Sequence, residues 1–109
     1  MNDTTITEGT TNVFADLGFP DAVQCRAKTR LAFVLNECIR NRRLKQAEAA
    51  ALLGIPQPKV SALKNYRLDG FSVERLMGFL TALDLDVEIM IRPRPEHAGT
   101  GSITVSQVR

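Results

Sequence analysis

Over residues 21–43, apolar side chains recur three or four positions apart, at Val23, Ala27, Leu31, Val34, Leu35, Cys38 and Ile39. This spacing predicts an amphipathic helix with one buried stripe. Asp21 can cap its start, and Arg40, Arg42 and Arg43 suit the negative end of its dipole. A second, alanine-rich helix is expected over about residues 45–53 and stops at Gly54, the residue that most readily takes a left-handed conformation. So short a helix needs tertiary support. The third helix starts within Pro56-Gln57-Pro58, where prolines are tolerated because first-turn amides have no helical acceptor, and it runs to about Asn65 with Val60 and Leu63 inward. The fourth has the sharpest start: Ser72 is a good N-cap, Glu74 complements the dipole, and Phe71 before the cap can staple onto Leu76. Val73, Leu76, Met77, Leu80 and Leu83 form its stripe.

After Asp84 the period changes from helical to two. Val87, Ile89 and Ile91 alternate with Asp86, Glu88, Met90 and Arg92, and Pro93 ends the run. A single strand cannot satisfy its own backbone, and no second convincing strand is present elsewhere, so the partner is expected on another molecule. Antiparallel pairing with a second copy would make a two-fold dimer; pairing with the sheet edge of a different protein is the alternative.

The ends differ in character. Residues 1–12 are Thr-rich and aperiodic, as in a disordered arm, and residues 94–109, rich in Gly, Ser and Thr, read as a flexible tail with slight alternation at Ile103 and Val105. Between arm and first helix, Phe14, Leu17 and Phe19 are expected to pack onto the domain as a short anchored turn. The single domain therefore spans about residues 13–93, and a chain of 109 residues buries roughly two thirds of its unfolded surface.

Composition narrows the function classes. The net charge is only +2, but residues 23–67 hold ten bases and two acids, whereas residues 1–22 and 68–91 are each acidic. A central basic block is what a polyphosphate partner requires, although a solvated Lys/Arg helix face would look similar. No apolar run reaches membrane-spanning length and the N-terminus lacks the basic start and apolar stretch of a secretion signal, which places the protein in the cytoplasm. Cys25 and Cys38 match neither a redox pair nor a zinc pattern, and on one helix they stand too far apart for a disulfide. The single histidine, His97, falls in the tail, so no Ser-His-Asp or Cys-His arrangement is available. Asp84, Asp86 and Glu88 could suggest a hard-metal site, but carboxylates on a strand's outer face are usually solvated. No glycine-rich phosphate loop occurs. Neither catalysis nor a cofactor or metal is expected.

The decisive pattern lies in residues 46–65. With Gln46 as position one, Ala50 stands at five, Gly54 at nine, Val60 at fifteen and Leu63 at eighteen. A small residue lets two helices cross closely, glycine makes the sharp turn, and the last two anchor the second helix while its start and outer face stay free to enter a groove. An ordinary helical hairpin shares the turn and the stripe, but not the basic flanks with a polar outer face.

The run LKQAEAAALLGIPQPKVSALKNYRLDGFSVERLMGFLTALDL, residues 44–85, resembles the lambda-repressor-like (Xre) helix-turn-helix family. The flanking FADLGFPDA and DVEIMIRP resemble the branch found among bacterial antitoxins and small regulators. The resemblance implies a mainly α bundle of four to five helices, to which the C-terminal strand would add pairing across a dimer. It also implies binding as a homodimer to a palindromic double-stranded operator, repression of transcription and, in the antitoxin branch, neutralisation of a small ribonuclease-like toxin. A solitary regulator, or a protein-interaction module that has kept the fold without reading DNA, is the alternative. By the same resemblance Gln46 contacts phosphate, and Gln57, Lys59, Ser61 and Ala62 occupy the groove-facing positions. The chemistry suits Gln57, whose amide can bond both polar groups of an adenine edge, and Lys59, which can reach guanine or phosphate; Ala62 could only touch a thymine methyl. Lys64 and Arg67 suit phosphate, with Arg42, Arg43 and Lys45 adding backbone contacts. Three positions depart from the family pattern: Lys45 stands where a capping Thr or Ser is frequent, Tyr66 where glycine commonly ends the recognition helix, and Asp84 where glycine often follows the fourth helix.

Overall fold

The computed structural model describes residues 21–96 and 99–108. Four helices follow one another: α1 (Asp21–Asn41), α2 (Gln46–Leu53), α3 (Gln57–Lys64) and α4 (Val73–Ala82). The mainly α architecture and the four helices are as expected from the sequence. The anchored turn proposed around Phe14, Leu17 and Phe19, the capping role given to Asp21, and His97 lie outside the described residues or side chains.

The core is built on α1. Leu31, Val34 and Leu35 pack with Leu53, Ile55, Val60, Leu63, Leu68, Phe71, Val73, Leu76, Phe79, Leu80 and Leu83 into one cluster, with Leu35, Leu63 and Leu76 fully buried. Cys38, Ile39 and Met77 are half-buried at its margin. Ala32 and Ala49 are buried completely as well, so close approach of the helices depends on more small residues than Ala50.

Polar groups of α1, and of Arg42 just after it, complete the packing. Lys28 Nζ donates to the Leu68 carbonyl at 3.4 Å, Asn36 Nδ2 to the Leu63 carbonyl at 3.1 Å and Arg42 Nη1 to the Leu83 carbonyl at 3.2 Å. The last two acceptors lie at the C-terminal ends of α3 and α4, where carbonyls lack helical donors. The long helix and the residue just past its end thus tie down two short helices and the loop between them.

The helices share one way of stopping. Each is followed by a residue with positive φ: Arg43 (55°), Gly54 (70°), Tyr66 (58°) and Asp84 (68°). After α1, α3 and α4 the chain closes with the paired bonds of a Schellman turn: Leu44 N–H to Ile39 O, Arg67 N–H to Ala62 O and Leu85 N–H to Leu80 O, each with its inner partner bond. Only one of the four left-handed residues is glycine. Tyr66 and Asp84, the two departures from the family's glycines, keep the glycine's backbone conformation. At Arg43 the turn ends α1 at Asn41, two residues earlier than its stripe suggested.

Beyond α4, residues 85–95 carry no regular secondary structure in the single chain. Leu85 and Val87 are half-buried against the core, whereas Ile89 (74%), Met90 (78%) and Ile91 (92%) are largely exposed. Val105, within the stretch read as a tail, is also half-buried against the core, and Gln107 lies with Leu85 beside Cys38 of α1. Among the described residues no helix is long and apolar enough to cross a membrane.

Candidate nucleic-acid interface

The turn between α2 and α3 is built as the spacing demands. Gly54 N–H donates to Ala50 O at 2.8 Å and Ile55 N–H to the same carbonyl at 3.1 Å, so the chain reverses over one left-handed residue. Nothing lies within 4 Å of a Cβ added at Gly54; the requirement there is conformational, not spatial. Ile55 then enters the core, and Pro56, with φ −66°, starts α3.

The two faces of α3 are sharply divided. Val60 and Leu63 are buried, while Gln57, Pro58 and Lys64 are exposed and Ser61 is half-exposed. Gln57, Ser61 and Lys64 follow one another at i, i+4 and i+7 and so share a single outward face. The N-terminus of α3 is poor in main-chain donors: Pro56 and Pro58 carry no amide hydrogen, and Lys59 N–H already bonds the Pro56 carbonyl at 2.9 Å. Side chains, rather than the peptide backbone, must do the binding at this end.

Two of the four residues expected to face a groove are placed less simply. Ala62 is half-buried against the core and presents only part of its methyl. Lys59 is half-buried, with its ammonium 5.2 Å from the centroid of the Phe71 ring and close against Gly70. In this geometry it folds back on the α3–α4 loop instead of projecting outward.

The phosphate candidates fall at both ends of the motif. Arg43 and Lys45 are exposed and Gln46 half-exposed at the start of α2; Lys64 and Arg67 are exposed around the end of α3. Lys45 is the N-cap of α2 and makes no side-chain cap, as its chemistry dictates, but its own N–H donates to Glu48 Oε1 at 2.7 Å. Arg42 is diverted: besides its bond to the Leu83 carbonyl it approaches Asp84 Oδ2 at 3.9 Å. It therefore completes the C-terminus of α4, a role that the run of arginines in the sequence did not reveal.

Tyr66 is the residue the sequence reading undervalued. Held at positive φ directly after α3, its side chain is 43% exposed between Lys64 and Arg67. The signal available was the missing glycine at a helix end. Among the described residues no group of three or more His, Cys, Asp or Glu side chains gathers as a metal site would require.

Two short helices crossing over Gly54, the second with a polar outward face and a buried anchoring face, define a helix-turn-helix protein. The sequence matches the helix-turn-helix domain family over residues 13–92. A solved structure that bears the provisional name XRE family transcriptional regulator is 57% identical, aligns with a TM-score of 0.78, and covers 82% of this chain and 100% of its own. The chain belongs to the XRE-type helix-turn-helix family. No curated protein matches it.

Proposed function

We propose that the protein is a sequence-specific DNA-binding transcriptional regulator that acts as a homodimer in the cytoplasm. The observation that carries this reading is the outward face of α3, with exposed Gln57 and Lys64 and half-exposed Ser61 aligned on a helix that Val60 and Leu63 anchor. Gln57 and Ser61 are the base readers at the centre of that face, Lys59 joins them on leaving Phe71, and Ala62 contributes apolar contact alone. Arg43, Lys45, Gln46, Lys64 and Arg67 grip phosphates on either side. Val87, Ile89 and Ile91 join the two copies, so that two α3 helices meet successive turns of a palindromic operator.

Selection from a randomised duplex pool at controlled salt tests this reading. Enrichment of one palindrome supports it. Enrichment of nothing removes the DNA-binding role and favours an interaction module of the same fold.

A finer reading makes the protein a repressor that also neutralises a small ribonuclease-like toxin. It is supported by the resemblance of FADLGFPDA and DVEIMIRP to antitoxin-type regulators. An adjacent reading frame encoding a basic protein of about 100 residues that co-purifies with this chain would support it; a solitary reading frame would leave the regulator without a toxin.

A further inference from the structure

The segment after α4 is apolar on one side along its whole length, yet only its first half has anything to cover. Leu85 and Val87 rest on the core, whereas Ile89 and Ile91, which continue the same alternation in sequence, stand 74% and 92% exposed. The other side reads Asp86, Glu88, Met90, Arg92, acidic at its start and basic at its end. The stripe runs off its own core with a charge gradient along its back.

We infer that residues 86–92 pair antiparallel with the same residues of a second copy, in the one register that sets Ile89 opposite itself and Asp86 opposite Arg92 of the other chain. This deepens the homodimer reading above and rests on it. Directly opposed residues in an antiparallel pair point to the same side. Any register shifted by one residue would continue the apolar face of one strand with the polar face of the other. Centring on Glu88 would set two carboxylates side by side. Centring on Met90 would put Pro93, which has no N–H to give, inside the ladder opposite Val87. A parallel pairing in register would oppose like charges at 86, 88 and 92.

Centring on Ile89 avoids all of these. Asp86 meets Arg92 twice by symmetry, Val87 meets Ile91 twice, and Pro93 falls beyond the paired stretch. Ile91 of each copy then lies beside Val87 of the other, which itself packs on that copy's core. The exposed half of each stripe covers the margin of the opposite hydrophobic core. A second copy therefore fits in both charge and apolar continuity.

Charge swaps on the full-length chain test the register by sedimentation equilibrium, without DNA. Asp86 and Arg92 are exposed, so helix content by circular dichroism should be unchanged in every variant. Asp86→Arg alone and Arg92→Asp alone each set like charges opposite one another twice per dimer and should weaken self-association about tenfold or more. An equimolar mixture of the two variants should assemble preferentially into the mixed dimer, because each supplies the charge the other lacks, and Asp86→Arg/Arg92→Asp in one chain should restore self-association. Single variants that dimerise like the parent chain and show no preference for each other overturn the register while leaving a dimer. A parent chain that stays monomeric to several hundred micromolar overturns the register and the homodimer reading together.

Discussion

The ammonium of Lys59 lies 5.2 Å from the centroid of the Phe71 ring, linking α3 to the loop that precedes α4. Phe71 in turn meets Phe79 edge-on at 5.9 Å, so the cation rests on an aromatic pair rooted in the core. A residue expected to read bases is thereby parked, in this geometry, on its own protein. Leaving costs about 0.5–1 kcal/mol, an amount that one charge-assisted bond to guanine or phosphate can offset.

A methyl at Gly70 would stand 2.7 Å from Lys59 Nζ and push the flexible ammonium off the ring. Gly70 has no positive φ, so the loss of this contact and the entropy that alanine removes from the unfolded chain nearly cancel, and Gly70→Ala is expected to stay within about 0.5 kcal/mol of neutral in urea titration. In a Lys59→Met background the same change should stabilise by about 0.4–1 kcal/mol. An equal effect in both backgrounds would dissociate Gly70 from the Lys59–Phe71 contact.

Asp84 combines two unfavourable features: a positive φ of 68° and a carboxylate at the negative end of α4. Its approach to Arg42 at 3.9 Å offsets little, since the Asp84 side chain is 88% exposed. Asp84→Gly should therefore stabilise by about 0.5–1 kcal/mol, raising the melting temperature by several degrees. A lower melting temperature would mean that the Arg42 contact outweighs the backbone conformation.

Asn36→Ala would leave the Leu63 carbonyl without its side-chain donor in a half-buried setting. The carbonyl keeps Tyr66 N–H as a donor at 3.1 Å, so the expected loss is about 0.5–1.5 kcal/mol. Hydrogen exchange should show it as reduced protection concentrated in α3. Leu63→Ala, which empties a fully buried site, should cost more, about 2–5 kcal/mol, and lower protection in all four helices.

Base readers and phosphate grips differ in what they change. Gln57→Ala should cost about 1–3 kcal/mol on the preferred duplex and relax the preference at one base position. Lys64→Ala should weaken all duplexes alike and reduce the slope of log affinity against log salt by about one. Affinity titrations at several salt concentrations separate the two, and interchanged behaviour would reassign the residues.

What could be read in the sequence was set by pattern length. The stripes of α1 and α4, the glycine between α2 and α3 and the Ser72 cap, whose hydroxyl accepts from Arg75 N–H at 3.0 Å, are local signals with one mechanical meaning each. Ala32 and Ala49 escaped because alanine looks neutral in any helix, whereas Phe79, three positions after Leu76 and four before Leu83, fits the three-four count and widens the buried stripe of α4. The end of α1 was misjudged because arginine, not glycine, takes the left-handed turn. Long-range pairings were harder still: the diversion of Arg42 to the Leu83 carbonyl joins residues 41 positions apart, and no spacing rule reaches that far. At the site, outward placement of Gln57 and Ser61 was implied by the family resemblance, but the retreat of Lys59 depended on a ring in the next loop.

Three side chains, two on α1 and one just after it, end on distant carbonyls and set a practical boundary for engineering. Lys28, Asn36 and Arg42 fasten the α3–α4 loop and the ends of α3 and α4, so both helices are finished off by groups that precede the motif. A transplanted 46–65 segment would arrive without the Asn36 clasp on Leu63 and with Val60 and Leu63 uncovered. New specificity is better introduced by rewriting the outward positions of α3 within the intact chain, where the anchoring face and its fastenings need not change.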